Sequence, residues 1–348
     1  MKNMSLPYSS ESYPPIFRQP NRPLCNSKNQ DLCNDEVVIG PDTLPVIDFQ
    51  CINEEKLHEA CADWGVFRLV NHGIPTSLLN QLHETSKQVF NYSFESKQKL
   101  FSSSPVTYFW GTPALNSKGL PLQQPKNVNW MEGFNIALSQ LSSHTHADNG
   151  DKDDDPLSTS FRYLIQEYGN HQSRIAEMIN KAITDRLDQG SLDDSRHCSS
   201  YLSLSTGILR VYRYPALVQP NETSWGMDVH TDSSIISILN QDLVGGLQFL
   251  RHGHWHHVHP VPNTLIVNLG DMMQAISDDK YKSVKHRVKL NKYEERLSMG
   301  YFVFPDDDTL IQSSSYKPLT YSAFRAQVQQ DIKAVGYKVG LQRFRQPS

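Results

Sequence analysis

The C-terminal half of the chain is a succession of short apolar segments separated by turn residues. From about Leu209 onward these segments read GILRVYRYP, SSIISILNQD, GGLQFLRHGHWHHV, NTLIVNLGD, KSVKHRVKL and ERLSMGYFVFP. Short strands in regular succession are typical of a β-sandwich or a jelly roll. The pattern alone does not choose between these two folds.

The remaining segments are predicted to combine helices with a few strands. Asn53 can cap the first helix and Gly65 can end it, and Thr320 and Gly336 can do the same for the last helix. Thr76 is a further candidate cap. The predicted strands are 44–49 and 66–75, and the predicted helices are 53–64, 76–92, 161–187 and 321–335. The Gly- and Pro-rich stretch 102–136 favours strand or loop over helix.

The overall composition is that of a globular protein and is compatible with an enzyme that acts on a small molecule. Hydrophobic residues make up 38% and aromatic residues 10% of the 348 positions, which is enough for a packed interior. The net charge of −4 argues against a nucleic-acid binder. No run approaches the roughly 18 apolar residues of a membrane helix, and the N-terminal text lacks the features of a secretory signal. The five scattered cysteines form no C-x-x-C pair, so we expect a reduced compartment, the cytoplasm, with the nucleus as the alternative.

Two His-x-Asp triplets are candidates for a pair of metal ligands. With 14 His and 37 acidic residues, chance alone provides about 1.5 His-x-acid triplets. His146-x-Asp148 lies in a polar, acidic stretch with the composition of a solvated loop. His230-x-Asp232 stands directly before a predicted strand, and residues two apart on a strand point to the same face. The second triplet is therefore the better candidate.

Further along the chain are a possible third ligand and a possible carboxylate anchor. Two histidines and one carboxylate with open coordination positions are typical of non-haem iron(II). His286 lies in an alternating strand pattern, 54 residues after Asp232. Ten residues later, Arg296 and Ser298 stand two apart on another predicted strand. The arginine fork suits a carboxylate and the serine adds a donor, so the set indicates an iron site with a carboxylate co-substrate.

These residues resemble those of the plant dioxygenases that depend on iron(II) and 2-oxoglutarate. The matching text extends from LPVIDF to YFVFP and includes CADWGVFRLVNHGIP and HTDSSIISILNQDLVGGLQFL. By that likeness three residues would bind iron(II): His230, Asp232 and His286. Three others would hold 2-oxoglutarate: Arg296, Ser298 and Tyr214. The family usually has Asn two positions before this tyrosine, where this chain has Tyr212, and one polar contact to 2-oxoglutarate is then lost.

The resemblance also implies a fold, mainly β with α, in which a double-stranded β-helix, or jelly roll, carries helices on its outside. Four regions are expected. They are an irregular lead at 1–42, a mixed α/β region that packs on the core at 43–200, the iron and 2-oxoglutarate jelly-roll domain at 201–310, and a C-terminal helix and tail at 311–348.

Within this family the segments YFWGTPA and NWMEGFNIAL look most like those of gibberellin oxidases, in particular the 2-oxidase branch that inactivates the hormone. The implied reaction is hydroxylation of a gibberellin with O2, with ascorbate as a helpful reductant. A rigid apolar acid needs a largely aromatic pocket. Five aromatic residues are expected to form its walls: Tyr108, Trp110, Trp130, Phe134 and Phe304.

Several alternatives stay open at this point. The same chemistry could act on another plant hormone, a flavonoid or an alkaloid, or oxidise a gibberellin elsewhere. A jelly roll that binds a ligand without catalysis is a different class, and a zinc hydrolase would leave Arg296 and Ser298 without a role. We expect no nucleic-acid or membrane partner, and the sequence specifies no protein partner.

Overall fold

The computed structural model of the chain describes residues 10–18, 37–38, 44–111, 129–144, 155–189, 201–216 and 225–347. The triplet His146-x-Asp148 and most of the lead at 1–42 lie outside these residues. In the described ranges the strands are β1 (Val37–Val38), β2 (Val46–Asp48), β3 (Val66–Val70), β4 (Ser102–Ser103), β5 (Val106–Trp110), β6 (Glu132–Ala137), β7 (Ile208–Tyr214), β8 (Trp225–His230), β9 (Ile236–Gln241), β10 (Leu247–Arg251), β11 (His254–His257), β12 (Leu265–Leu269), β13 (His286–Lys289), β14 (Arg296–Val303), β15 (Leu310–Ile311) and β16 (Leu319–Thr320). The α-helices are α1 (Glu54–Glu59), α2 (Thr76–Phe90), α3 (Phe94–Leu100), α4 (Leu138–His144), α5 (Pro156–Gln189), α6 (Asp271–Ile276) and α7 (Tyr321–Val335).

Most of the strands form two sheets. The smaller sheet has the order β1-β11-β10-β13-β8, and the larger has the order β2-β3-β12-β9-β14-β7-β6-β5-β4. Their inner faces look towards each other, because one apolar cluster contains Tyr212 of the larger sheet together with Phe249 and Val288 of the smaller one. The sheets do not close into a barrel. This is the double-stranded β-helix arrangement expected from the sequence.

Strand alternation divides the larger sheet into an inner and an outer face. On β7, Tyr212 and Tyr214 belong to the cluster between the sheets, whereas Leu209 and Val211 belong to a second cluster under the helices. That second cluster contains side chains of α2 and α5, so these helices cover the outer face. The helices α2 and α5 therefore do not cover the inner face, where a site can form between the two sheets.

The predicted helix boundaries are largely confirmed. Asn53 Oδ1 accepts the Lys56 N–H at 2.9 Å, and the segment runs on through a π-helical turn to Gly65, whose φ of 67° lies in the left-handed region. Thr320 caps α7 and Gly336 ends it with φ 91°. The expectation for Thr76 was wrong, because Thr76 is the first helical residue and Pro75 occupies the cap position without a side-chain bond. Across the described residues, none of the helices is both long and apolar enough to cross a membrane.

Candidate metal centre and co-substrate pocket

His230 and His286 are brought together by pairing of two strands. His230 is the last residue of β8 and His286 the first of β13, and the two are direct cross-strand partners in the smaller sheet. Their ring centroids lie 4.2 Å apart. Because directly opposed residues share a face of the sheet, both imidazoles point to the inner face. Strand pairing thus brings His230 and His286 into direct contact although they are 56 positions apart in the sequence.

Asp232 completes a three-residue cluster two positions after the end of β8. Its Oδ1 lies 3.8 Å from His230 Nε2 and 3.8 Å from His286 Nε2. The three ligand atoms all lie within 4.8 Å of one another, and within the described part of the chain no other group of three His, Cys, Asp or Glu meets this condition. Two imidazoles and one carboxylate in such a cluster form the facial donor set of non-haem iron(II) enzymes.

Neighbouring groups orient each of the three side chains. His230 Nδ1 lies 2.7 Å from the Asp228 carbonyl and His286 Nδ1 lies 3.2 Å from the Val284 carbonyl. A carbonyl only accepts, so Nδ1 carries the proton in both rings and Nε2 presents its lone pair to the cluster. Asn268 Nδ2 donates to Asp232 Oδ2 at 2.8 Å, which leaves Oδ1 for a metal.

The environment keeps the cluster in its ligating protonation state. Burial raises the pKa of Asp232, but the adjacent His286 and His230 and the hydrogen bond from Asn268 outweigh it and lower this pKa to about 2. Burial and the neighbouring His286 lower the pKa of His230 to about 3. At neutral pH Asp232 is therefore an anion and His230 is neutral, as metal ligation requires.

The segment between the first two ligands is held by an ion pair with the C-terminal region. Lys338 Nζ lies 2.7 Å from Asp271 Oδ2, and both side chains are almost fully buried. The same ammonium donates to the Thr231 carbonyl at 2.8 Å and to Ser233 Oγ at 2.9 Å. Lys338 therefore holds the backbone carbonyl before Asp232 and the serine side chain after it.

A second polar group, centred on Arg296, lies on the inner face of the larger sheet. Arg296 of β14 is the cross-strand partner of Tyr214 on β7, and its guanidinium carbon lies 5.0 Å from the Tyr214 ring centroid. Its Nη1 donates to Ser298 Oγ at 3.2 Å and its Nη2 donates to Gln241 Oε1 at 2.8 Å. The residues predicted to hold 2-oxoglutarate, Arg296, Ser298 and Tyr214, thus lie side by side.

This group carries an uncompensated buried charge. Arg296 is only 2% exposed, its Nε has no hydrogen-bond partner, and no carboxylate of a described residue forms an ion pair with it. Gln241 Nε2 is likewise buried without a partner. A buried guanidinium is costly unless an anion meets it. The carboxylate at the end of a dicarboxylic acid fits this position, and the rest of that molecule would extend towards the metal cluster.

Three of the five aromatic residues expected around the substrate lie on the other side of the sheet. Phe109 of β5 contacts Tyr212 on the inner face, so its neighbours Tyr108 and Trp110 point outward. Phe134 is directly opposite Tyr108, and its ring packs with Phe90, Phe101 and Phe161 beneath the helices. These three side chains therefore pack with the cluster on the outer face of the sheet, and Trp110 also contacts the edge of Phe17 with centroids 6.2 Å apart.

The other two aromatic residues take different places. Trp130 belongs to the cluster between the sheets, where it stacks on Phe17 with centroids 5.0 Å apart. Phe304 follows the end of β14 and stacks on Tyr321 of α7 at 5.0 Å. Tyr212, which replaces the usual Asn, is a direct partner of Ser298 and lies on the inner face beside Tyr214.

Three supporting residues could not be found from the motif. Asn268 and Gln241 reach the site because β12, β9 and β14 are neighbours in the larger sheet. Lys338 lies beyond the last strand, and its contact with Asp271 depends on how the C-terminal segment folds back. The only sequence signal is that Asn268 interrupts the apolar run of the predicted strand LIVNL, whereas Gln241 ends the strand ISILNQ beside a second amide, Asn240.

Comparisons with known families and proteins agree with this geometry. Residues 205–305 match the model of the 2OG-Fe(II) oxygenase superfamily, and residues 44–156 match that of the N-terminal region of non-haem dioxygenases in morphine synthesis. The chain is 36% identical over 88% of its length to gibberellin 2-beta-dioxygenase 8 of Arabidopsis thaliana, covering 88% of that protein. It is 32% identical to gibberellin 2-beta-dioxygenase 5 of Oryza sativa subsp. japonica, and this match covers 97% of the chain and 98% of that protein.

Among solved structures, the chain is similar to JOX2 in complex with 2OG, Fe and JA. The TM-score is 0.70 at 27% sequence identity, and the match covers 88% of this chain and 90% of the other. A dioxygenase for auxin oxidation in rice gives a TM-score of 0.65 at 22% identity, over 87% of this chain and all 100% of that one, which is a likeness of fold.

Proposed function

Because this chain belongs to the 2OG-Fe(II) oxygenase superfamily, we propose that His230, Asp232 and His286 hold its iron and that Arg296 anchors its 2-oxoglutarate. The protein is a dioxygenase that uses iron(II) and 2-oxoglutarate and acts on a small molecule. The assignment of residues rests on one observation: the structure contains both a compact His-Asp-His cluster and a buried guanidinium that has no carboxylate partner among the described residues.

Each residue has a defined task in this proposal. When bound, iron(II) and 2-oxoglutarate supply the activation of O2 and the oxidising equivalents for substrate hydroxylation. His230 and His286 present Nε2 because backbone carbonyls hold the protons on Nδ1. Asp232 presents Oδ1 because Asn268 engages Oδ2. Arg296 and Ser298 orient the co-substrate, and the two facing sheets limit access of water.

We further propose that the substrate is a gibberellin and that the reaction is a 2-oxidation which inactivates the hormone. The support is the similarity to three gibberellin 2-beta-dioxygenases, at 32% identity or more, with more than four fifths of each protein matched. The inner face between the sheets offers an apolar environment for a rigid, largely apolar acid. The similarity to JOX2 and to oxygenases named for downy mildew resistance supports a second candidate, the same chemistry on another plant hormone or specialised metabolite.

Coupled turnover tests this proposal. The purified chain is incubated with iron(II), ascorbate, O2, 2-oxoglutarate and one member of a panel of gibberellins, jasmonates, auxins, flavonoids and alkaloids. Release of succinate and the hydroxylated product are both measured. The proposal predicts that a gibberellin raises succinate release most and gives a product hydroxylated at carbon 2. Stronger coupling to a different class would refute the proposed substrate, and a hydroxyl group at another carbon would refute the 2-oxidation.

A further inference from the structure

Residues Ser10–Arg18 form a strap on the outer face of the larger sheet, beside the end of β7. The strap consists of two short 3-10 helices and belongs to none of the sheets. On β7, Arg213 has the same parity as Val211, so its side chain points to the outer face. Ser12 and Tyr13 of the strap both contact this arginine. Side chains therefore hold the strap in place, and it is not a strand of the sheet.

Two buried cations and one buried carboxylate lie beneath the strap. Glu132 Oε2 accepts from Lys97 Nζ at 2.7 Å, and Glu132 Oε1 accepts from Arg213 Nε at 2.5 Å. All three side chains are at most 2% exposed. The strap adds two acceptors, because the Ser12 carbonyl accepts from Lys97 at 2.6 Å and Ser12 Oγ accepts from Arg213 Nη2 at 3.2 Å. Buried cations are costly unless their donors are satisfied, so the strap completes this cluster.

Tyr13 connects the strap to the start of β14. The Arg213 guanidinium carbon lies 4.0 Å from the centroid of the Tyr13 ring, and the Tyr13 hydroxyl donates to Glu295 Oε1. Arg213 Nη1 lies 4.0 Å from the same Glu295 oxygen. Glu295 immediately precedes Arg296, the first residue of β14. Tyr13 thus contacts side chains from both of the strands that carry the co-substrate pocket.

The charged cluster and the co-substrate pocket lie on opposite faces of these two strands. Arg213 is the cross-strand partner of Leu297, and the adjacent pair, Tyr214 and Arg296, faces inward. Neighbouring residues of a strand share a backbone but point to opposite faces. A shift of Arg213 or Glu295 would therefore move the main chain that carries Tyr214 and Arg296. Because the Arg296 fork meets a carboxylate at two points, such a shift would weaken that contact.

The other end of the strap is held by aromatic packing. Phe17 stacks on Trp130 with 5.0 Å between the ring centroids, and it meets the edge of Trp110 at 6.2 Å. Arg18 Nε donates to the Tyr13 carbonyl at 2.7 Å, which closes the segment into a compact loop. The strap is therefore one unit that docks at two places, on the charged cluster and on the two indole rings.

We propose that the strap positions Arg296 for 2-oxoglutarate, with Tyr13 as a positioning residue that acts through Glu295 and Arg213. The inference rests on the proposed role of Arg296 and adds an element on the outer face that sets the affinity for the co-substrate. The coupling is reciprocal by thermodynamic linkage. If the closed strap tightens the binding of 2-oxoglutarate by some factor, bound 2-oxoglutarate favours the closed strap by the same factor.

Replacement of Tyr13 tests the coupling through the affinity for 2-oxoglutarate. Tyr13→Phe keeps the ring on Arg213 and removes the hydroxyl group, whereas Tyr13→Ala removes both. Calorimetry on the iron-loaded chain without O2 gives the dissociation constant, which should rise about 3- to 10-fold in Tyr13→Phe, the range for one hydrogen bond, and further in Tyr13→Ala. In turnover the KM for 2-oxoglutarate should rise with it, while kcat at saturating 2-oxoglutarate stays the same. The control variants Tyr163→Phe and Tyr163→Ala change a tyrosine of α5 that is 68% exposed, and they should alter neither quantity.

Tryptic cleavage after Arg18 measures the opening of the strap itself. In the closed strap the Arg18 guanidinium is bound to the carbonyls of Tyr13 and Glu11, so cleavage requires opening. With iron bound and O2 absent, saturating 2-oxoglutarate should slow this cleavage in the wild-type chain at least as much as Tyr13→Ala weakens co-substrate binding. In Tyr13→Ala the cleavage should be faster and nearly independent of 2-oxoglutarate. Cleavage after Lys181, in the middle of α5, reports unfolding of the whole chain and is the reference.

Two results would overturn the inference: a dissociation constant within twofold of wild type in Tyr13→Phe and Tyr13→Ala, or wild-type cleavage after Arg18 that 2-oxoglutarate slows no more than cleavage after Lys181. If Tyr13→Ala does not fold, Tyr13→Phe and the cleavage of the wild-type chain still decide. Failure of the proposed function would look different, because Arg296→Lys would then bind 2-oxoglutarate as the wild type does. Failure of the strap inference alone would leave the defect of Arg296→Lys in place.

Discussion

Replacement of Arg296 by lysine separates the effect of its charge from the effect of its fork. The guanidinium is 2% exposed and already uses two nitrogens for Ser298 and Gln241. Its remaining donors, including the unpaired Nε, are available for a carboxylate. A lysine keeps the positive charge but presents a compact ammonium at the end of a flexible stem, so it cannot retain both internal bonds and the two-point contact.

The expected loss follows from the number of hydrogen bonds. One bond between charged partners contributes about 1.5–3 kcal/mol. Losing one of two such bonds to 2-oxoglutarate should weaken its binding about 10- to 100-fold. The dissociation constant of 2-oxoglutarate is measured by calorimetry on the iron-loaded chain without O2, and the KM for 2-oxoglutarate is measured in turnover. Both should rise together, because chemistry at the metal is unchanged.

Arg345→Lys is the matched control, since it makes the same change at a partly exposed position outside the roll. It should leave the affinity for 2-oxoglutarate unaltered. A dissociation constant within threefold of wild type in Arg296→Lys would refute the reasoning and place the co-substrate carboxylate elsewhere. An equal loss in both variants would mean that the effect is a general one on the fold.

Three further changes probe other parts of the account. Asn268→Ala should lower iron affinity about 10- to 100-fold in a competition titration, because Asp232 loses the donor that orients it; unchanged affinity would contradict that role. Phe134→Ala should cost about 3–5 kcal/mol of unfolding free energy in urea while the KM for substrate stays the same, and a selective rise of that KM would return Phe134 to the substrate wall. Burial raises the pKa of Glu295 to about 8, so the folded chain holds a proton that the unfolded chain releases above about pH 4.5. Unfolding free energy should therefore fall between pH 5 and pH 8, less so in Glu295→Gln, and equal slopes would contradict the shift.

The three candidate metal ligands show how much of the site the sequence pattern predicts. The two-residue spacing of His230 and Asp232 and the strand pattern around His286 predict three side chains that share a face. What the pattern lacks is the pairing of β8 with β13, which makes His230 and His286 direct neighbours. That pairing depends on contacts between residues far apart in the chain. The resemblance to a family supplied this information before the structure did.

The aromatic residues show the opposite case. Strand alternation places Tyr108 and Trp110 on one face and Phe109 on the other. It does not say which face looks inward, because both faces of this sheet are buried and apolar. The register of β5 on β6 and of β6 on β7 decides the matter, and only the structure provides it.

Residues outside the motif are the hardest to foresee. Asn268 is an amide in an otherwise apolar strand, whereas Gln241 ends a strand that also holds Ser237 and Asn240. The relation of the two amides to Asp232 and Arg296 follows from the order of strands in the larger sheet. Lys338 reaches the metal centre from the C-terminal region, where no periodic pattern points to it. A buried polar residue on a strand is therefore a signal of a supporting role, but its partner is set by topology.

The central claim is that three side chains from two segments of the chain hold one iron while Arg296 binds the far carboxylate of 2-oxoglutarate. The most direct measurement is a crystal structure of the chain with iron(II) and 2-oxoglutarate, obtained without O2, with iron located by its anomalous scattering. The account predicts one iron per chain, bonded to His230 Nε2, Asp232 Oδ1 and His286 Nε2, and a carboxylate paired with the Arg296 guanidinium. Iron bound by other residues, or a 2-oxoglutarate carboxylate that does not meet Arg296, would contradict it.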